Sequence, residues 1–286
     1  WRMGANDSGN GTTITDQGSG GNNGSLVNGP TFSTNVPGGT LSTPSTAISF
    51  PNSYSLKFDD NSDFVELGDT KANGNNTFDF GTSAFSLSVW IKPSAQSGDD
   101  QIFGAHLASS GWTMYSSGQA GTGAFRFFSR LGNLLGDNIT TGAWSHLVVT
   151  RDGTELNMYV NKSKTSHTVN ALETVNTNEN TTTRLGYNGS SLRTLLGLID
   201  EAAAWNVALT DADVAALFDN GPNNLNAAES YDTDRSNNLL VWYRNGDTGS
   251  DASGTTVTNA ATGSASAGSS VNGTISGPSF STDVPN

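Results

Sequence analysis

Asp200 and Glu201 stand side by side inside an apolar run, "LLGLIDEAAAW" (Leu195–Trp205). Two acids so placed could cleave a glycosidic bond, hold a metal ion, or serve the architecture. Alternation along a strand puts Leu198, Asp200, Ala202 and Ala204 on one face and Ile199, Glu201, Ala203 and Trp205 on the other. The two carboxylates then point apart. Hydrolysis needs both facing one sugar, about 5 Å apart for retention and somewhat more for inversion, so this pattern argues against an active site. A buried carboxylate is costly unless it is paired, hydrogen-bonded or bound to a metal. Asp200 is therefore expected to hold a loop or the connection to the next helix, with calcium ligation as the alternative. Glu201 is expected to lie solvated on the opposite face.

A second oxygen-rich stretch, Asp59-Asp60-Asn61-Ser62-Asp63, puts three carboxylates into one turn, and Asp137-Asn138 marks another. Calcium takes six to eight oxygens, which makes Asp59, Asp60 and Asp63 further candidate ligands. Asp and Asn also favour turns by bonding their own backbone, and no EF-hand spacing is present. His106, His146 and His167 stand apart without metal-ligand spacing. The chain has no cysteine, which excludes disulfides and thiolate chemistry, and no G-x-S-x-G elbow. Among the aromatics that could stack on a sugar ring, Trp90, Trp144 and Tyr187 read mostly as core. Trp112 and Tyr115, beside the glycine-rich "SSGQAGTG", are expected to reach solvent and bind ligand.

The elements that must position these residues are strands. Thirty-four glycines and many Asn, Ser and Thr separate short apolar runs in 286 residues, the composition of strands joined by polar turns. "FSLSVWIKP" sets Phe85, Leu87, Val89 and Ile91 on one face, and "WSHLVVTRDGTELNMYVN" forms a hairpin at Asp152-Gly153 with Leu156, Met158 and Val160 sharing a face. One helix is expected over 210–219, with Thr210 as N-cap, Asp211 and Asp213 at the positive end of its dipole, and Gly221 after its end. Many strands with one short helix make an all-β sandwich. The formal net charge of −13 sets nucleic acid aside as a partner. No apolar run approaches the roughly 20 residues that cross a bilayer, and membrane insertion is not expected.

The chain also repeats itself. Trp1 aligns with Trp242, Gly11-Thr-Thr-Ile with Gly254-Thr-Thr-Val, and Pro30-Thr-Phe-Ser-Thr-Asn-Val-Pro with Pro278-Ser-Phe-Ser-Thr-Asp-Val-Pro. That pattern predicts a tandem array. The expected division is a domain over 1–222, a connecting segment over 223–241 with a strand at 239–243, and a second copy of segment 1–37 over 242–286. The second copy would begin a next unit or exchange with a neighbouring subunit by strand addition. Trp242, Tyr243, Pro278, Phe280 and Pro285 are its expected assembly residues.

The pieces "DQGSGGNNGSL", "SLKFDDNSDFVELG", "FSLSVWIKP", "WSHLVVTRDGTELNMYVN", "RLGY" and "GLIDEAAAWNVALTDADVAALFDNG" follow one another in an order that resembles the laminin-G-like, concanavalin-A-like jelly roll of bacterial surface and phage structural proteins. The resemblance covers roughly Trp1 to Gly221. Ala202 to Ala204 depart from it, since relatives usually carry bulkier and charged residues there. It implies two antiparallel sheets face to face with the helix closing one edge. It implies ligands on rim loops or the concave sheet, and in some members a calcium ion. Relatives that cleave glucans carry an E-x-D-x-x-E strand, which is missing here, so no enzyme is expected. The leading expectation is an extracellular, cell-surface or virion-surface structural module that self-associates or joins neighbouring tandem units. The alternative is a lectin-like, glycan-binding module, with or without calcium.

Overall fold

The computed structural model describes residues 13–14, 24–25, 27, 52–68, 76–94, 98–107, 110–119, 122–177, 182–186, 195–219, 237–248 and 251–285. The chain divides into two compact units, 1–49 and 50–286. Within the first, β1 (Thr13–Ile14) pairs antiparallel with β2 (Gly24–Ser25). Trp1, Pro30–Pro37, Tyr187 and the segment 223–236 lie outside the described residues.

The second unit is a sandwich. Its strands are β3 (Ser55–Phe58), β4 (Phe64–Leu67), β5 (Phe85–Pro93), β6 (Asp99–Leu107), β7 (Ser110–Gln119), β8 (Thr122–Ser129), β9 (Gly132–Thr140), β10 (Ser145–Asp152), β11 (Glu155–Val160), β12 (Ser163–Thr168), β13 (Arg184–Leu185), β14 (Gly197–Trp205), β15 (Leu239–Tyr243), β16 (Thr256–Val257), β17 (Gly273–Ser276) and β18 (Ser279–Ser281). One sheet runs β12-β11-β10-β5-β14-β3-β18, with β15 also on β14, and the other runs β16-β17-β4-β13-β6-β7-β8-β9. Phe85, Leu87, Val89 and Ile91 of β5 and Leu156, Met158 and Val160 of β11 enter the core between the sheets, as the period-two pattern predicts. Helix α1 (Asp211–Asp219) covers the outer face of the first sheet, where Val148, Tyr159, Ala203, Trp205, Val214 and Trp242 form a second apolar cluster. Its start is a capping box: the Asp213 amide donates to Thr210 Oγ1, and the Thr210 amide donates back to Asp213 Oδ2.

The expected boundary near residue 222 is corrected. The carboxyl-terminal copy closes this same sandwich: β15 pairs with β14, β17 with β4, and β18 with β3. Trp242 and Tyr243 are fully buried, Pro278 and Pro285 are buried, and Phe280 packs against the core and edge-on to Tyr54. These five residues hold the molecule's own last strands. The physical reason is local: Tyr243, Trp242 and Val241 pair with Ala202, Ala203 and Ala204, whose small side chains leave room on β14 for wide aromatic neighbours.

Candidate functional site

Strand β14 does not keep its alternation. Opposite β5, Asp200 faces Trp90 and Ala203 faces Ser88, so β14 carries one extra residue, a β-bulge. Glu201 takes a left-handed φ of 48° there, and Asp200 Oδ1 accepts its backbone N–H. Ile199 before the bulge and Ala202 and Ala204 after its first residues all join the core between the sheets. The expected opposite-face arrangement is thereby overturned, and so is a solvated Glu201: both carboxylates are fully buried.

Their partners differ. Asn52 Nδ2 donates to Asp200 Oδ2 at 3.1 Å. Glu201 accepts from Trp242 Nε1 and from Arg244 Nε, the latter at 3.2 Å between side chains that are both almost wholly buried. Burial raises Asp200 well above the usual carboxylate range, and the charge of Glu201 reinforces the rise. Burial also raises Glu201, but there Arg244 and Trp242 oppose it. Glu201 thereby anchors β15 to β14, while Asp200 holds the segment that leads into β3. Among the described residues no Lys or Arg acts on Asp200, and the amide oxygens of its partner Asn52 and of Asn245 lie buried without partners. Asn245 is tied to the adjacent Ile199 carbonyl. These are hard oxygens, suited to calcium.

The Asp59–Asp63 turn is occupied by its own bonds. Asp63 Oδ2 accepts the amides of Asp59 and Asp60, Asp60 Oδ1 accepts from Ser62, and Asp59 pairs with Lys57. Among the described residues no three His, Asp or Glu side chains converge on a metal position.

Trp112 does not reach solvent. It is fully buried, its indole N–H donating to the Phe78 carbonyl, because β7 alternates and puts Trp112 and Met114 inward. Tyr115 lies on the other face of β7, 7% exposed, and donates to Asn133 Oδ1. His146 is buried, bonded to Ser88 Oγ and stacked on Trp90; burial lowers it to about 3. The unfolded chain thus takes a proton below about pH 6.5 that the folded chain refuses. Through the window from 6.5 towards 3, this group makes stability fall as pH falls, by up to about 1.4 kcal/mol per pH unit. The Asp200–Glu201 pair, with raised values, works in the opposite direction. The measurable quantity is therefore a difference. Thermal melts at pH 4.5 and 7 should show His146→Phe losing less stability on acidification than the parent chain, and equal losses would contradict the assignment.

One cleft opens beside the helix start, about 450 Å³ in volume and lined by Asp152, Glu155, Asn157, Tyr159, Lys164 and Asp211 among others. The loop that forms its far wall is pinned by Ser86, whose Oγ donates to the Val207 carbonyl and accepts the Leu209 amide. Lys164 Nζ and the Tyr159 hydroxyl both donate to Asp211 Oδ1, at 3.0 and 2.8 Å. Those two donors, Lys164 first, hold the Asp211 carboxyl below its usual range. Burial, then Asp211, pushes the Tyr159 hydroxyl up. Asn157 is 8% exposed; its Nδ2 donates to Glu155 Oε1 at 2.9 Å, and its Oδ1 has no partner. Sequence reading passed over these residues. The signal was present in the same hairpin: Glu155, Asn157 and Tyr159 are the alternate positions to Leu156, Met158 and Val160.

Comparison with known proteins agrees with this architecture. A candidate carbohydrate-binding protein from Bacteroides ovatus is similar in structure at TM-score 0.58 and 16% identity, over 80% of this chain and 60% of that one. This chain therefore spans less than two thirds of that structure's length. Domain 4 of an extracellular arabinanase from Geobacillus stearothermophilus, solved with arabinotriose, is similar at TM-score 0.42 and 22% identity, over 57% of this chain and 87% of that one. A heptameric pentraxin from Limulus polyphemus matches at TM-score 0.47 and 14% identity, over 60% and 84% of the two chains. No curated protein sequence matches the chain. A laminin G family model, described as the concanavalin A-like lectin/glucanases superfamily, matches residues 59–215. On that match, over more than half of its length, the chain belongs to the concanavalin A-like lectin/glucanase superfamily.

Proposed function

We propose that this chain is a non-catalytic glycan-binding module of an extracellular or cell-surface protein, and that the cleft beside α1 is its sugar site. The observation that carries the reading is the cleft's own lining: a volume sized for a small ligand, walled by the exposed carboxylates of Asp152 and Glu155 beside the Asn157 amide. Sugar hydroxyls donate to the exposed carboxylates of Glu155 and Asp152, and a turn of the Asn157 amide presents its orphaned oxygen to a further hydroxyl. The family and the Bacteroides ovatus structure support the same class. Catalysis is disfavoured by the acids themselves. A glycosidase needs one carboxyl with a raised pKa facing the bond, whereas Asp211 is held low and the two raised carboxyls do not line the cleft.

A glycan array with the parent chain and Asn157→Ala tests this. Losing one or two hydrogen bonds costs about 1.4 kcal/mol, near tenfold in affinity. The array should give hits that weaken about tenfold in the variant. Hits indifferent to Asn157 would sink the assignment of the cleft, and the absence of any hit would sink the function.

Calcium belongs to the same proposal at a separate place, with Asp200, Asn52 and Asn245 as ligands. The motivating observation is a fully buried acid bonded to Asn52, whose amide oxygen is orphaned, with the orphaned oxygen of Asn245 held at the adjacent Ile199 carbonyl. Melting in calcium against chelator should show a rise of about 5 °C in calcium, from selective binding to the folded state. Asp200→Asn should abolish the rise; a parent chain indifferent to calcium would refute it.

A further inference from the structure

The two copies of the repeat fold alike at their first described step. In the amino-terminal copy Thr13 pairs with Ser25 and Ile14 with Gly24. In the carboxyl-terminal copy Thr256 pairs with Thr274 and Val257 with Gly273. Since Gly11-Thr-Thr-Ile matches Gly254-Thr-Thr-Val, and Asn23-Gly-Ser-Leu reads as Asn272-Gly-Thr-Ile, equivalent residues make the same ladder in the same register.

What the carboxyl-terminal copy does with that ladder is known from its contacts. Gly273 lies where an added Cβ would meet Val65 Cγ1 at 2.6 Å, so any side chain there would force the buried Val65 and Leu67 to shift as β17 approaches β4. Ile275 faces Val65. Gly277, at φ 95°, presses on Asp63 and turns the chain into β18. Phe280 then faces Leu56 on β3. The positions with constrained roles have counterparts in the amino-terminal copy: Gly24 for Gly273, Leu26 for Ile275, Gly29 for Gly277 and Phe32 for Phe280, with one residue more before the second glycine, Val27-Asn28 standing against Ser276. One difference is electrostatic. Asp283, bonded by Trp144 and Lys92, corresponds to Asn35, which keeps an acceptor and loses the ion pair.

In this chain β3 and β4 have each given one edge to the carboxyl-terminal copy. We propose that residues 23–37 are a second closing segment, built to complete another sandwich of this same fold at the edges equivalent to β3 and β4. The partner of the amino-terminal unit is then a second laminin-G-like sandwich, and successive sandwiches are linked by a segment that belongs to one of them structurally and to the next by chain connection. The expected exchange of the carboxyl-terminal copy is thus reassigned to the amino-terminal one.

A graft in the full chain tests it, with Asn23–Pro37 replacing Asn272–Pro285. The proposal expects one cooperative melt within about 10 °C of the parent, as a loss of a few kcal/mol gives. A scrambled Asn23–Pro37 graft should lose far more or fail to melt cooperatively. A second substitution reads the register: Gly24→Val at its grafted position should remove most of the graft's stability, whereas Gly24→Val at its original position leaves the sandwich melt unchanged. A graft no better than the scrambled one, or one that tolerates Gly24→Val, overturns the proposal.

Discussion

Glu201→Ala should lower the melting temperature by about 10 °C, the equivalent of roughly 3–5 kcal/mol. The residue accepts from Trp242 and from Arg244, both on or next to the closing strand β15. Truncation takes the Glu201 carboxylate away from a guanidinium that is almost wholly buried, which is the expensive way to break a buried pair. Asp200→Asn is the informative comparison. Asp200 is a strongly raised acid whose neutral form an amide resembles in shape, so in the absence of calcium that change should cost less than about 1 kcal/mol. Denaturant melts of the two variants in chelator check the contrast. Equal losses would mean that the adjacent acids do not divide their roles as their partners indicate.

Trp112→Ala should cost about as much, roughly 3–5 kcal/mol, through the cavity left by a large core side chain. Trp112 sits among Phe78, Phe80, Phe103 and Phe127, with ring centroids 5.4 to 6.5 Å away. Its indole N–H also satisfies the Phe78 carbonyl, which truncation would strand. Below its lowered melting temperature the variant should bind the same glycans with the same affinity as the parent chain. A selective loss of binding in a folded Trp112→Ala protein would restore this residue to the ligand site and displace the cleft beside α1.

The elements that were legible in the sequence are those whose period was uninterrupted. Phe85 to Ile91, Leu156 to Val160 and the Thr210-capped helix follow simple alternation or capping chemistry, and the structure places them accordingly. The Asp200–Glu201 pair was misjudged because a bulge of one residue shifts every later position, and no local signal announced it; the left-handed φ falls on a glutamate rather than a glycine. Trp112 was misjudged for the opposite reason: a nearby glycine-rich loop suggested solvent, while the strand's own alternation already pointed the indole inward. The cleft escaped notice because its walls come from residues some fifty positions apart, Tyr159 and Asp211, which only the packing of α1 brings together. The carboxyl-terminal strands show a further limit. Repetition was visible, but which copy closes the described sandwich depends on edge pairing that sequence does not reveal.

The most direct measurement is hydrogen exchange on the full chain with and without the best glycan from the array. The account predicts protection confined to 150–164 and 207–212, where the cleft walls lie, and markedly less of it in Asn157→Ala at a glycan concentration near the parent's Kd. Protection centred instead on β7 and β8 around Tyr115 would place the sugar on the opposite sheet and contradict the assignment made here.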